Sequence, residues 1–260
     1  MFDIQNISKK YNEKYVLKNC SVSFLPQTIT SLIGPNGAGK STLLMMMAKL
    51  LTPTSGSIFL SNQDISNIVS AEYAKKVATQ RQHLDNHFRL TVKELVEFGR
   101  FPHGRGYLSD SDHRIVAESI EFLGLKQIAN EQINELSGGQ KQMAYLAMAL
   151  AQDTPCLLLD EPLNNLDIKH SVELMQALNH LKLYKHKTIV LVIHDINFAS
   201  NFSDYIVALK EGELYCQGTP QEVINANNLR DLYGINFEII QQERAIFCNY
   251  FQTKGGRDVV

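Results

Sequence analysis

The chain has 260 residues, 44% hydrophobic and 20% charged, with 25 Lys and Arg against 27 Asp and Glu. That length suits one large core, or a core with a smaller lobe, and the composition sits near the average for soluble globular proteins, which excludes disorder and fibrous repeats. A formal net charge of −2 gives no general attraction to nucleic acid or to an anionic membrane, and the basic stretch Lys9, Lys10, Lys14 and Lys18 reads as a solvated face.

The apolar runs Ala144 to Ala151 and Thr188 to Ile193 fall far short of the roughly 18 to 20 residues that span a bilayer. The start, Met-Phe-Asp-Ile-Gln-Asn, carries no basic stretch followed by an apolar segment, so no export signal and a cytosolic residence are expected. Cys20, Cys156, Cys216 and Cys248 lie far apart with no CxxC pair, which predicts reduced thiols rather than a disulfide frame or a zinc site.

In chain order, Phe2 to Ile7, Ser21 to Leu25, Thr28 to Ile33 and Ser57 to Leu60 are short and rich in β-branched or aromatic residues, and predict strands. One helix interrupts them, from Lys40 to about Leu51, where Thr52-Pro53 is expected to stop it. Met45 to Met47 lie on this helix and read as core. From His83 to Asp153 the pattern turns helical, with Thr91 to Gly99, Ser111 to Leu123 and Gly138 to Ala151 showing apolar residues three and four apart. This predicts a helical lobe inserted into a β-containing core. Cys156 to Leu159 and Thr188 to Ile193 are continuously apolar, as strands covered on both faces are, with a helix from about Ile168 to Leu183 between them. Tyr205 to Leu209 with Glu213 to Cys216, and Glu238 to Gln241 with Ala245 to Phe251, predict two hairpins.

The run Gly34-Pro35-Asn36-Gly37-Ala38-Gly39-Lys40-Ser41 matches G-x-x-x-x-G-K-[ST] between a predicted strand and a predicted helix. Glycines let successive N–H groups turn inward, the helix start adds its positive end, and Lys40 brings a mobile charge for outer phosphates. Ser41 is placed for Mg²⁺. A plain glycine-rich turn is the competing reading, and the strand–loop–helix context argues against it.

A phosphate loop binds but does not hydrolyse, so a carboxylate for the metal and a group for the water are also required. Asp160-Glu161 ends the buried strand at Leu159, and ligands of α/β sheets bind at the carboxyl ends of strands. Asp160 is then the metal ligand and Glu161 the general base. His194 ends the next apolar strand at the same edge and is expected to meet a γ-phosphate. His83 and His87 show no third ligand and read as structural.

Ser137 with Gln140 three residues on forms a capping box at the start of the helix that bears Met143, Leu146, Ala147 and Leu150. Gly138 and Gly139 beside the cap allow close approach of an anion to the helix start. The chain therefore carries two phosphate-ready helix starts and one lysine-bearing loop, and a second copy can bring the two together on one nucleotide.

These residues resemble the ATP-binding subunits of ABC transporters along essentially the whole chain. GPNGAGKST, through Thr42, is similar to the family's Walker A loop, LSGGQ at Leu136 to Gln140 to its signature, CLLLDEP at Cys156 to Pro162 to its Walker B strand, and His194 to its switch histidine. The resemblance implies a P-loop NTPase core, a mixed sheet with flanking helices, together with an antiparallel β subdomain and an inserted α-helical subdomain. Residues 1–82 and 154–260 would form the core with its β subdomain, and 83–153 the helical subdomain, in a single ABC ATPase domain. It also implies an adenine-stacking aromatic at Tyr11, with Tyr15 as local competitor, and a metal-sensing glutamine at Gln82, with Gln80 as alternative. Asn164-Asn165-Leu166-Asp167 stands where Ser-Ala-Leu-Asp is usual, and retains Asp167.

Thr91 to His103 and His194-Asp195-Ile196-Asn197 resemble the importers of iron-siderophore complexes and vitamin B12. The implied cofactors are ATP and Mg²⁺. The implied partners are a membrane permease, a second ATPase subunit forming a homodimer and, indirectly, a periplasmic or lipoprotein substrate-binding protein, with no nucleic acid. The expected place is the cytoplasmic face of the cell membrane, peripherally bound. The leading function is ferric siderophore uptake. Vitamin B12 or haem import, and a soluble ABC ATPase outside transport, are the alternatives.

Overall fold

A computed structural model describes residues 2–80, 89–104, 107–243 and 245–251. The first long strands, β1 (Phe2–Tyr11) and β2 (Lys14–Ser23), form an antiparallel hairpin. β3 (Ile29–Ile33) runs into α1 (Lys40–Met47), followed by β4 (Ser55–Leu60), β5 (Gln63–Asp64), α2 (Ser70–Tyr73) and β6 (Val77–Gln80). The helices α3 (Val92–Glu97), α4 (Phe101–Gly104), α5 (Asp110–Phe122) and α6 (Gly138–Ala151) come next. Then β7 (Cys156–Asp160), α7 (Ile168–Lys185) and β8 (Thr188–Val192) form a βαβ unit. The chain finishes with α8 (Ile196–Phe202), β9 (Tyr205–Lys210), β10 (Glu213–Gly218), α9 (Pro220–Val223), α10 (Ala226–Tyr233), β11 (Glu238–Gln242) and β12 (Ala245–Asn249).

Among the described residues the strands make three sheets, ordered β2-β1-β4-β5, β10-β9-β3-β8-β7-β6 and β11-β12. The second is parallel from β9 through β6, and β10 is antiparallel at its edge. Its central strands are buried at every position because both faces are covered. Alternate residues divide between two cores, as the two-residue period of a strand requires. Ile29, Leu157, Leu159, Ile189 and Leu191 join the core with α6 and α7. Leu32, Leu158, Val190 and Val192 join the core with α1, β1 and β4. Each such side chain contributes about 1.5 to 3 kcal/mol of burial, so the sheet edge that carries the site is held rigidly.

α3, α5 and α6 pack on one another through Val92, Val96, Val116, Ile120, Ala144 and Ala147. Each starts with a capping box, Thr91 with Glu94, Ser109 with Asp112 and Ser137 with Gln140. Arg100 is buried among them, its Nε donating to Asp112 Oδ1 at 2.7 Å and its Nη1 to the Ala151 carbonyl at 2.8 Å. Among the described residues no helix is long and apolar enough to cross a membrane.

Several boundaries differ from those expected. α1 ends at Met47, a turn before Leu51, because Lys49 adopts a left-handed φ of 59° and the N–H groups of Leu50 and Leu51 both fold back to the Met45 carbonyl. Closure of that helix end, rather than Pro53, stops it. The hairpin β1–β2 is longer than the strands read from sequence, since its outer part exposes Lys and Tyr and the register shifts repeatedly between Ile4 and Lys10, which breaks the alternation. α5 starts at Asp110 under its Ser109 cap, and β12 ends at Asn249. α8, α9 and α10 were not expected. They are 7, 4 and 8 residues long, too short for a sustained helical period.

Candidate functional site

The loop after β3 leaves the sheet at Gly34, whose φ is +136° and whose absent Cβ would lie 2.1 Å from the Leu209 carbonyl oxygen. Only glycine fits there. Gly39 is equally constrained, because a Cβ would meet Leu17 Cδ2 at 2.7 Å and the Val16 carbonyl at 2.8 Å. Between them Pro35, Asn36, Gly37 and Ala38 turn the backbone into the start of α1, where Lys40, Ser41 and Thr42 stand in the first turn. Lys40 is 5% exposed, and its Nζ donates to the Gly34 carbonyl at 2.7 Å and the Pro35 carbonyl at 3.0 Å. Burial pushes its pKa below the ordinary lysine value, while the nearby carboxylates of Glu161 and Asp160 oppose that shift.

Ser41 Oγ donates to Asp160 Oδ1 at 2.8 Å, which joins the phosphate-loop helix to the end of β7. Among the described residues no cluster of three or more His, Cys, Asp or Glu is placed to hold a metal ion. The Ser41–Asp160 pair is all-oxygen and suits a hard cation that takes its other ligands from phosphate and water, as Mg²⁺ does. The next residue, Glu161, adopts a left-handed φ of 52°, an unfavourable conformation for a side chain this large. Its Oε1 meets His194 Nε2 at 2.7 Å, and its Oε2 accepts from Asn164 Nδ2. Phosphate loop, acidic pair and His194 are thus gathered at the carboxyl edge of β3, β7 and β8.

The second helix start stands on α6. Ser137 Oγ accepts from the Gln140 N–H at 3.2 Å, and Gln140 Oε1 accepts from the Ser137 N–H at 2.9 Å. Ser137 and Gly138 are exposed, and Gly138 and Gly139 lie against Asn165 and Leu166 of the loop before α7. Asp167 caps α7, accepting from the His170 N–H and facing His170 Nδ1, both at 2.8 Å, and those bonds hold its carboxyl below the usual range.

Tyr11 and Tyr15 are each 49% exposed at the tip of the β1–β2 hairpin. Lys9 Nζ lies 5.1 Å from the Tyr11 ring and Lys10 Nζ 5.5 Å from the Tyr15 ring. Lys9 pairs across the hairpin with Leu17, the residue packed against Gly39. Gln82, with His83 and His87, lies outside the described residues. The alternative, Gln80, is 2% exposed and directs its Nε2 to the Gln142 carbonyl at 3.3 Å, while its buried Oε1 has no partner among the described residues.

The ABC transporter family model matches residues 17–164. The chain is 47% identical over 239 residues to the petrobactin import ATP-binding protein YclP of Bacillus subtilis (strain 168), covering 92% of this chain and 95% of that one. The chain belongs to the ABC transporter ATP-binding family. It is also 40% identical over 255 residues to the iron(3+)-hydroxamate import ATP-binding protein FhuC of the same organism, covering 96% and 95% of the two chains. Among solved structures, the dimeric post-hydrolysis state of the ATP-binding cassette MJ0796 bound to ADP and Pi superposes with a TM-score of 0.77 at 34% identity, over 85% of this chain and 99% of that one.

Three polar contacts of this ABC cassette escaped the sequence reading. Asn164 holds Glu161, Gln142 Nε2 donates to the Pro162 carbonyl at 3.0 Å, and the Tyr233 hydroxyl accepts from the Gly34 N–H at 3.1 Å. The Asn164-Asn165 departure marked the first. Nothing local marked the other two, because their partners are distant in sequence.

Proposed function

We propose that this chain is the ATP-hydrolysing subunit of an importer that takes up a ferric siderophore through a separate membrane permease, from a peripheral position on the cytoplasmic face. The observation that carries the ATPase reading is the gathering of Lys40, Ser41, Asp160, Glu161 and His194 at one sheet edge. The petrobactin and iron-hydroxamate relatives, matched along nearly their whole length, support the cargo class.

In this reading the N–H groups from Gly37 to Thr42 cradle the phosphates, and Lys40 leaves the Gly34 and Pro35 carbonyls for the outer phosphate oxygens. Ser41 and Asp160 would hold Mg²⁺, which would neutralise charge on the phosphate oxygens when bound. Glu161 takes the proton of the attacking water, whose oxygen bonds to the γ-phosphorus as the bond to the ADP oxygen breaks. His194 orients Glu161 and stabilises the γ-phosphoryl charge. Tyr11 stacks on the adenine, and Gln82 senses the metal.

Ser137, Gly138, Gly139 and Gln140 have no lysine-bearing loop of their own, and they complete the nucleotide site of a second copy, with Asp167 at the boundary. Two chains then close head to tail, and hydrolysis releases them. Residues 83–153 work as the helical arm that carries the signature, on a core of 1–82 and 154–260. The arm offers the permease an apolar groove lined by Leu90, Glu94, Glu97, Phe98, Phe101 and Leu108, with Phe98 and Phe101 exposed.

The test is ATPase stimulation of the reconstituted transporter by loaded substrate-binding proteins. Stimulation by a ferric-siderophore-loaded protein is expected. Stimulation only by vitamin B12 or haem would reassign the cargo, and failure to copurify with any hydrophobic permease would remove the transport reading.

A further inference from the structure

Tyr233 is the last residue of α10, and Gly234 closes the helix behind it with a φ of +74°. Its ring is half-buried against the core, and its hydroxyl reaches the first residue of the phosphate loop, accepting the Gly34 N–H at 3.1 Å. Gly34 stands one residue beyond β3, where ladder pairing with β8 and β9 has ended, so the hydroxyl takes the place a neighbouring strand would have filled. The same residue's carbonyl accepts Lys40 Nζ at 2.7 Å. A single residue, Gly34, thus separates Tyr233 from the lysine. Burial pushes the phenol up to about 12, which keeps the hydroxyl neutral at every working pH.

The ring does not stand alone. Phe237 packs on it at 6.0 Å between centroids, and Tyr250 packs on Phe237 at 5.7 Å. Phe237 and Tyr250 flank the β11–β12 hairpin, which α8 grips through two asparagine side chains. Asn201 Oδ1 accepts from the Ile246 N–H at 2.9 Å while its Nδ2 donates to the Ile246 carbonyl at 2.8 Å, and Asn197 Oδ1 accepts from the Cys248 N–H at 2.8 Å. The clasp mimics a strand neighbour and fixes the hairpin against the sheet.

We propose that Tyr233 is a positioning residue for the phosphate loop, setting where the chain leaves β3 and so where Lys40 meets phosphate, with Phe237 as its brace. This rests on the nucleotide-site reading above. The hydroxyl acts on the loop backbone through the Gly34 N–H, so its effect falls on nucleotide affinity rather than on the chemical step.

Titration calorimetry of the full chain with Mg·ADP, compared with turnover at saturating ATP, tests it. Tyr233→Phe keeps the ring and removes the acceptor. Its Kd for ADP is expected to rise roughly three- to tenfold, the worth of one hydrogen bond, with full stoichiometry and turnover within about twofold. Phe237→Leu is expected to raise Kd by a smaller factor, and to add nothing in the Tyr233→Phe background, because the brace acts through the hydroxyl. An unchanged Kd in Tyr233→Phe overturns the proposal, as does a loss of binding sites with wild-type Kd in the remainder, which would mark a merely structural role. Additive effects of the two substitutions overturn the brace. A wild-type chain that binds no Mg·ADP would remove the nucleotide-site reading itself, and this inference with it.

Discussion

Glu161 and His194 lie 33 positions apart, yet Glu161 Oε1 meets His194 Nε2 at 2.7 Å. Two buried parallel strands, β7 and β8, pair in register from Cys156 with Thr188 to Asp160 with Val192, and so deliver both residues to one edge. Glu161→Gln keeps the size and the contact with His194 but removes the base. Turnover is expected to fall at least about a hundredfold, with ATP binding retained and an ATP-dependent dimer accumulating. Phosphate release together with gel filtration checks it, and brisk turnover in the variant would refute the assignment.

Asn164 donates to the second oxygen of the same carboxylate, where the family usually places serine. Asn164→Ala removes this bond and keeps the contact of Glu161 with His194. Turnover is expected to drop about three- to tenfold with unchanged ADP affinity, since a single orienting hydrogen bond is lost. Steady-state kinetics beside calorimetry separate the two effects, and an affinity change without a rate change would contradict it.

Arg100 and Asp112 form an ion pair with side chains only 7% and 8% exposed, and Arg100, by also bonding the Ala151 carbonyl, ties α5 to the end of α6. Asp112→Ala leaves the guanidinium buried without its partner and is expected to cost about 3 kcal/mol in urea unfolding. Hydrogen bonds from Ser109, then from Arg100, hold the Asp112 carboxyl well below the usual range. A depressed folded-state pKa contributes stability that is fully present above the unfolded value, about 3.9, and is lost as pH falls below it. The stability gap between wild type and Asp112→Asn is therefore expected to be constant near neutrality and to shrink below about pH 4. A gap that widens on acidification would reverse the assignment.

Phe98 and Phe101, between α3 and the start of α4, stay exposed although each could bury a large apolar area. Phe98→Asp is expected to leave nucleotide binding and basal turnover within about twofold while abolishing copurification with the permease. Retained copurification would move the docking face elsewhere.

The phosphate loop was legible because strand, loop and helix are contiguous and each follows a local rule. Asp160, Glu161 and His194 were legible for a related reason, since apolar strands end abruptly in polar residues and parallel sheets align such ends. The left-handed turn at Glu161 was not, because backbone strain leaves no period in a sequence, and at Asn164 the departure from serine was visible but its contact with Glu161 was not. Gly34 could be recognised from its motif, but its dependence on Tyr233 arises from packing across 199 positions. The short helices α8 to α10 lacked the length for a period to emerge, and the outer β1–β2 hairpin lost its alternation to register shifts.

The central claim is that each nucleotide site is shared between two chains. Mixing Lys40→Ala chains with Ser137→Arg chains tests it directly. Each variant alone has both sites broken, whereas a mixed pair keeps one site intact, formed by Lys40 of one chain and Ser137 of the other. Random pairing makes half the dimers mixed, so ATPase activity is expected to recover to about a quarter of wild type. A mixture as inactive as its components would contradict a shared site.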